Sequence, residues 1–446
     1  MIHTQKKMKA SFYDSKEHKK KSASVDAPPS KTLAHRELIA ASLAGGESRI
    51  RGLCLSEDIA ATVDCVRALG AAVELTPAAP SCGGSSCADP SCADPSCAEP
   101  TNGTRRGYEL WDARVIPNAA EPADILPCRE SGSTLRFLLP LCLTRTDGKE
   151  RLLTGSERLL ARPLGVYEEL CRERGLKFER TAEGVRVAGV LEPGEFTVRG
   201  DVSSQFITGL LFALPRLGGE SVLRIKPPLV SRPYLDVTLD VLKRFGARIG
   251  RRDDLTFLIE GNQTLSHADL AVEGDFSNAA YLDAFRLFGW KITVGNLPEQ
   301  SAQGDRRYRE FFAELAAGCP TLDITDTPDL APVLMALGAA LGGVRLTGTA
   351  RLRMKESDRG EAMAEELAKF GVSAQLGEDT VFVPPAPLCK PVQPLSGHND
   401  HRVVMALSLL CAEVGGEIEG AEAVNKSFPG FFDAVRSFGV EVNEHD

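Results

Sequence analysis

Six segments of this 446-residue chain end in the same way, and that repetition constrains the fold more than any other feature. They are Arg67-Ala68-Leu69-Gly70, Arg172-Glu173-Arg174-Gly175, Lys243-Arg244-Phe245-Gly246, Arg286-Leu287-Phe288-Gly289, Ala368-Lys369-Phe370-Gly371 and Arg436-Ser437-Phe438-Gly439. Each glycine stands where a helix C-terminus needs a left-handed residue, with a cation nearby that suits the negative end of the helix dipole. A strand pattern follows each, as in Val372-Ser373-Ala374-Gln375-Leu376, a Gly-Glu-Asp turn and then Val381-Phe382-Val383. The repeating unit is therefore a helix running into a strand or hairpin. Three copies in each half predict two domains of three similar units.

A second set of helices carries polar residues at its starts. Ser30-Lys31-Thr32 opens a helix running through Leu43, and Ser131-Gly132-Ser133 opens the one carrying Arg136. Ser203-Ser204-Gln205, Asp329, Ser357 and Asp400 precede further segments with apolar residues three and four apart. Ser and Asp are natural N-caps, so each of these helices is expected to begin there. Capping alone leaves Lys31, Arg136, Arg359 and Arg402 unexplained, because a cation in the first turn opposes the dipole. Helix N-termini with added cations make anion sites. The last hundred residues concentrate such groups in Lys355-Glu356-Ser357-Asp358-Arg359, Asp400-His401-Arg402 and Lys426-Ser427-Phe428-Pro429. A cationic site that keeps one or two carboxylates suits a small polyanion whose hydroxyl must lose a proton.

Composition narrows the class. With 43% hydrophobic and 25% charged residues the chain can bury a full core. Its net charge of -9, without a gathered basic face, argues against nucleic acid. No apolar run approaches a membrane span, and the Lys-rich first twenty-odd residues lack the apolar stretch of a secretory signal. Of 12 cysteines, Cys82, Cys87, Cys92 and Cys97 fall in the low-complexity repeat from Ser81 to Pro100, whose five-residue spacing fits no usual zinc pattern. That stretch reads as a flexible surface insert, and the other cysteines as reduced cytoplasmic thiols.

Nine blocks in order resemble the enolpyruvyl transferase family, and within it the 5-enolpyruvylshikimate-3-phosphate synthases. They are Pro29 to Arg36, Gly132 to Arg136, Leu153 to Arg158, Ser203 to Phe206, Ser231 to Tyr234, Pro328-Asp329, Lys355 to Arg359, Asp400 to Arg402 and Lys426 to Pro429. The resemblance implies an α/β fold: a two-domain inside-out α/β barrel, each domain three repeated units of strands and helices, with the active site in the interdomain cleft. It divides the chain into an N-terminal leader and strand (1–29) joining the C-terminal domain, a first domain (30–273, with the Cys-rich insert at 80–100) and a second domain (274–446). Crossovers are implied near Ser30 and near Gly274-Asp275.

The implied reaction joins the 5-hydroxyl of shikimate-3-phosphate to the enol carbon of phosphoenolpyruvate and then releases phosphate. Carried over residue by residue, Lys31, Thr32, Arg36, Ser203, Ser204, Gln205, Ser231, Tyr234, Asp329 and Lys355 are expected around shikimate-3-phosphate. Lys31, Gly132, Arg136, Arg158, Gln205, Arg359, Arg402 and Lys426 are expected around phosphoenolpyruvate. Asp329 is the candidate base and Glu356 the candidate proton shuttle, with Lys31 able to share the hydroxyl proton. Asp329 also suits a plain helix cap, and Glu356 a plain ion pair with Arg359 at i+3. No cofactor and no metal are expected; the partners are the two substrates, with no nucleic acid and no membrane, in a cytoplasmic monomer. Departures from the common pattern are Thr32 for Ser, Glu130 and Ser131 where Asn and Ala are frequent, and Arg351 where some members have Asn. The rival reading, transfer to UDP-N-acetylglucosamine, expects Asn after the first lysine and a loop cysteine; Thr32 and the cysteine-free segment from Thr154 to Ala161 stand there instead. A non-catalytic anion-binding module would have no need to keep both Asp329 and Glu356.

Overall fold

A computed structural model describes residues 8–13, 19, 22–78 and 108–446. The Cys-rich insert and most of the leader lie outside the described residues. Two hydrophobic cores organise the molecule. One runs from Leu33 to Val272; the other joins Phe276 to Val442 with Ala10, Phe12, Val25 and Ala27 from the N-terminus.

Helices lie inside and sheets outside. Lys31–Ser42, Gly132–Cys142 and Ser204–Ala213 form the centre of the first lobe, and Phe276–Asp283, Ala331–Ala340 and His401–Val414 that of the second. These helices are almost wholly buried, and in the Lys31–Ser42 helix the burial extends to His35, Arg36 and Glu37. Close packing among them depends on small residues. A side chain at Gly209 would run into the Tyr167 hydroxyl and the Arg136 carbonyl, so this glycine lets the Gly132–Cys142 and Ser204–Ala213 helices approach each other.

Four of the six inner helices each join a pair of parallel strands, as a crossover connection must. Ile125–Pro127 pairs with Arg151–Thr154, Glu195–Arg199 with Ser221–Lys226, and Thr321–Asp323 with Arg345–Thr347 of the next strand. At the lobe junction the partners are exchanged. Ala23–Asp26, which precedes the Lys31 helix, pairs with Ile292–Gly295, while Asp269–Ala271, which precedes the Phe276 helix, pairs with Arg49–Arg51. The two crossing chains meet at a Pro29–Gly274 bridge, held by Ser30 N–H donating to the Glu273 carbonyl (2.8 Å) and Asp275 N–H to that of Pro28 (2.8 Å). The first lobe is therefore one stretch of chain between the two crossings, whereas the second is built from both ends of the chain.

All six repeated glycines are left-handed, with φ of 101°, 65°, 74°, 92°, 87° and 104° from Gly70 to Gly439. Five of them end outer amphipathic helices: Glu57–Ala68, Gly165–Glu173, Arg232–Arg244, Arg359–Lys369 and Phe431–Ser437. The strand that follows each is the edge of a four-stranded sheet. The sixth differs from expectation. Gly289 closes the inner Phe276–Asp283 helix after a 3-10 extension, and its strand belongs to a two-stranded sheet. A C-terminal glycine answers the geometry of any helix end, so it marks an inner helix as readily as an outer one. Among the described residues the six sheets are separate and open, three around each helical centre, rather than closed barrels of strands. None of the described helices is long and apolar enough to cross a membrane.

Candidate active site

Residues at or just before the starts of five inner helices line one cleft between the lobes, and none of the six inner helices has an acidic residue in its first turn. Ser30, Ser131, Ser203, Asp275 and Asp400 cap five of them through side-chain oxygens that accept N–H bonds. Two expected caps are corrected. Asp329 lies in a short 3-10 turn before Ala331–Ala340 and caps nothing; its carboxylate is drawn to cations. Asp358, not Ser357, caps the Arg359 helix, because the Ser357 hydroxyl instead donates to Asp400 Oδ2 (3.0 Å).

The cleft encloses about 910 Å³ of space, part of it open to solvent. From the first lobe Lys31, Thr32, Arg36, Gly132, Arg136, Ser203, Ser204, Gln205, Ser231 and Tyr234 line it; from the second come Asp329, Lys355 and Glu356. Three strand–helix units on one side and, with His401, two on the other thus deliver side chains from positions 31 to 401 to one volume. Gln205 ties two of those units together: its Oε1 accepts from Arg136 Nη1 (2.6 Å) and its Nε2 donates to Ser133 Oγ (3.0 Å).

Arg359 and Arg402 stand behind that lining, both nearly inaccessible. Arg359 joins three carboxylates: Nη1 to Asp329 Oδ1 (2.7 Å), Nη2 to Glu356 Oε2 (2.9 Å) and Nε to Asp400 Oδ2 (2.8 Å). Arg402 Nη1 donates to Asn278 Oδ1 (2.9 Å), its Nη2 lies 3.7 Å from Asp329 Oδ2, and its Nε is buried with no partner. Arg158 and Lys426 do not line the cleft. Arg158 is exposed and donates to the His398 carbonyl (2.9 Å), while Lys426 is paired with Glu130 Oε2 (2.5 Å) and donates to the Asn399 carbonyl (2.9 Å).

The field of these cations decides the protonation states. Burial pushes the Asp329 carboxyl up, but Lys355 (2.9 Å), Arg359 and Arg402 outweigh it and hold the group well below the usual range. Glu356 is likewise raised by burial and brought well below the usual range by Arg359, Arg162, His401 and Lys31. Both are therefore ionised. Burial, with Lys31 and Arg402 adding to it, keeps the His401 imidazole well below its ordinary value, and neither ring nitrogen has a hydrogen-bond partner. Asp305 is the counter-example: burial and the nearby Asp329 push it up to about 6, while its Oδ2 accepts from Tyr234 (3.0 Å) and from Ser277.

Several lining residues had no motif to announce them. Arg162 faces Gly132, and Asp58 holds Lys31 Nζ (3.0 Å). Arg351 lines the cleft and donates from Nη1 to Ser231 Oγ (2.8 Å), next to the serines expected to meet a phosphate. Arg162 had one available signal, its position one turn beyond Arg158 in the Leu153 to Arg158 block. Nothing local pairs position 58 with position 31. The one group of metal-capable side chains among the described residues is Glu365, Glu366 and His398, outside the cleft. Its buried member Glu366 is already bonded to Lys369, His398 and the Ser396 N–H.

A family model described as EPSP synthase (3-phosphoshikimate 1-carboxyvinyltransferase) matches residues 16–88, 104–319 and 313–435. A Clostridium kluyveri protein named 3-phosphoshikimate 1-carboxyvinyltransferase is 36% identical over 94% of this chain and 96% of its own length. A protein of the same name from Clostridioides difficile is 32% identical over 95% and 97%. Among solved structures, an EPSP synthase from Acinetobacter baumannii matches with a TM-score of 0.73 at 19% identity, over 99% of this chain and 100% of the other.

Proposed function

The chain belongs to the EPSP synthase family, the 3-phosphoshikimate 1-carboxyvinyltransferases, and from that membership we propose how its cleft divides the work. The reaction transfers the enolpyruvyl group of phosphoenolpyruvate to the 5-hydroxyl of shikimate-3-phosphate, through a tetrahedral intermediate that expels phosphate. The relatives' names speak for this acceptor and not for a nucleotide sugar.

The observation that carries the site reading is the convergence of helix N-termini and buried cations on two ionised carboxylates. Both substrates are polyanions, so neutralising and orienting them is the principal catalytic task. Ser203, Ser204, Ser231 and Lys355 receive the ring phosphate, with Arg351 beside Ser231 as an added cation. Thr32 and Arg36 take the ring carboxylate, and Tyr234 packs on the ring. Arg359 and Arg402 take the phosphoenolpyruvate carboxylate in paired guanidinium geometry. Lys31, Gly132, Arg136, Arg158, Gln205 and Lys426 serve its phosphate, the last two cations being reached once their present partners give way.

Asp329, ionised and beside Lys355, accepts the hydroxyl proton; Lys31, held by Asp58, is placed to share it. Glu356 must be protonated to deliver a proton to the methylene carbon. Its depressed value is due to Arg359 and its neighbours, and substrate anions that occupy those cations raise it toward the working range.

We further propose domain limits of 30–273 and 274–446, with 1–29 completing the second domain, supported by the change of core on either side of the Pro29–Gly274 bridge. A monomer is supported by a cleft built wholly from one chain, and a cytoplasmic location by buried free thiols such as Cys65 and Cys128, where Cys65 Sγ donates to Cys128 Sγ (3.9 Å). A coupled phosphate-release assay with each acceptor tests the function. Release is expected only with shikimate-3-phosphate and phosphoenolpyruvate together, and turnover of UDP-N-acetylglucosamine instead would refute it.

A further inference from the structure

The Phe276–Asp283 helix presents one face to Arg402. Asn278 and Tyr281, three residues apart, share that face. Asn278 Oδ1 accepts from Arg402 Nη1 (2.9 Å), and Arg402 Cζ stands 5.3 Å from the centre of the Tyr281 ring, within cation–π range. A guanidinium can only donate, so the amide must turn its oxygen toward Arg402. Its Nδ2 then donates to Ser427 Oγ (3.1 Å), whose hydroxyl also lies 3.5 Å from Asn278 Oδ1. The Tyr281 hydroxyl donates to the backbone carbonyl of Asp329 (2.9 Å). Asn278, Tyr281 and Arg402 are all buried.

The two arginines expected at the phosphoenolpyruvate carboxylate have unlike surroundings. Arg359 is hydrogen-bonded to the carboxylates of Asp329, Glu356 and Asp400. No carboxylate is hydrogen-bonded to the Arg402 guanidinium among the described contacts. Asp329 Oδ2 is 3.7 Å from its Nη2, while Asp275 and Asp305 act on it through charge alone. The Asp275 oxygens are engaged by the backbone N–H groups of Asn278 (2.9 Å) and Lys31 (3.1 Å).

We propose that Asn278, with the Tyr281 ring beside it, is a positioning residue that orients Arg402 through a neutral acceptor and so keeps its charge for the carboxylate of phosphoenolpyruvate. This rests on the reading of Arg402 as a cation for that carboxylate. An amide oxygen fixes the guanidinium edge as a carboxylate oxygen would, but the bond is weaker and leaves the charge unneutralised. A carboxylate at position 278 would compete with the substrate for the same cation.

The test is Asn278→Asp, which keeps the size and the acceptor and adds only the charge. With shikimate-3-phosphate saturating, the KM for phosphoenolpyruvate is expected to rise about ten- to hundredfold. The kcat is expected to stay within about threefold, the pattern of binding lost equally before and in the transition state. Calorimetric affinity for shikimate-3-phosphate alone is expected to stay within about twofold, since no group assigned to its phosphate or carboxylate is hydrogen-bonded to the Asn278 side chain. Asn278→Ala removes the acceptor without adding charge, so its rise in the same KM is expected to be smaller, about three- to tenfold. It carries the test alone if the aspartate variant does not fold. An amide that only anchored Arg402 would make Asn278→Ala the more harmful change, because aspartate anchors it at least as firmly. That order overturns the proposal, as does an unchanged KM in Asn278→Ala or a joint loss of shikimate-3-phosphate binding. Arg402→Lys, which loses the paired N–H geometry, separates the two levels. If it raises the KM for phosphoenolpyruvate while both Asn278 variants leave it unchanged, only the role of Asn278 falls. If it has no effect, the reading of Arg402 falls, and the proposal with it.

Discussion

Glu37 offers a sharp physical test, because two opposing effects on it can be sized. It lies in the Lys31–Ser42 helix, fully buried, with neither carboxylate oxygen hydrogen-bonded. Arg244 Nη1 stands 4.0 Å from Oε1. An ion pair at that distance gains about 4 kcal/mol at an effective dielectric of about 20. Arg244, however, is 39% exposed and bonded more closely to Asp240 Oδ2 (2.6 Å), so its pull on Glu37 is diluted. Burial wins: it pushes the carboxyl from 4.5 up to about 7, with Arg244 opposing. A folded value above the unfolded one means that the folded state holds the proton more tightly. The stability this confers is complete below pH 4.5 and is lost as pH rises to about 7. The displacement corresponds to about 3 kcal/mol. Glu37→Gln removes the titration while keeping size and polarity. Urea unfolding of both proteins at several pH values between 4 and 8.5 measures the difference, in which all shared titrations cancel. The variant is expected to gain about 3 kcal/mol on the wild type from one end of that range to the other. A difference that does not change with pH would refute the reasoning. A slope of the opposite sign would show that Arg244 prevails over burial.

Other perturbations follow from the same contacts. Arg359→Met leaves Asp329, Glu356 and Asp400 in a buried cluster without their shared cation, and a loss of about 3–5 kcal/mol is expected in denaturant unfolding; unaltered stability would deny the cluster its importance. Gly132→Ala brings a methyl within 3.0 Å of Arg162 Cζ and 3.4 Å of Arg136 Nη1. Because those neighbours are ends of flexible side chains, the fold is expected to survive thermal melting unchanged while the KM for phosphoenolpyruvate rises, and an unaffected KM would remove Gly132 from that site. Glu356→Gln is expected to lower kcat about 100-fold or more while calorimetry still detects shikimate-3-phosphate binding; full turnover would exclude Glu356 as the proton shuttle.

The legible parts of this molecule were those governed by neighbours in sequence. The left-handed glycines and the serine caps at positions 30, 131 and 203 each depend on a few adjacent residues, so their patterns could be read directly. Locality also set the limits. Gly289 resembled the other five endings because a helix terminus does not record whether its helix lies inside or outside. Ser357 and Asp358 both satisfy the cap preference, and only the approach of Asp400, more than forty residues away, assigned the Ser357 hydroxyl elsewhere.

The sequence alone determined which residue types were available for the chemistry: cations at helix starts, hydroxyls for phosphate oxygens and two carboxylates among them. Tertiary structure decided how each charge is spent. Arg359 and Arg402 went behind the lining, Lys426 to Glu130, Lys31 to Asp58, and Arg162 and Arg351 were brought to the cleft without a motif. The reason is that charge interactions act through space over a few ångströms, and two lobes that exchange strands bring together groups separated by hundreds of residues.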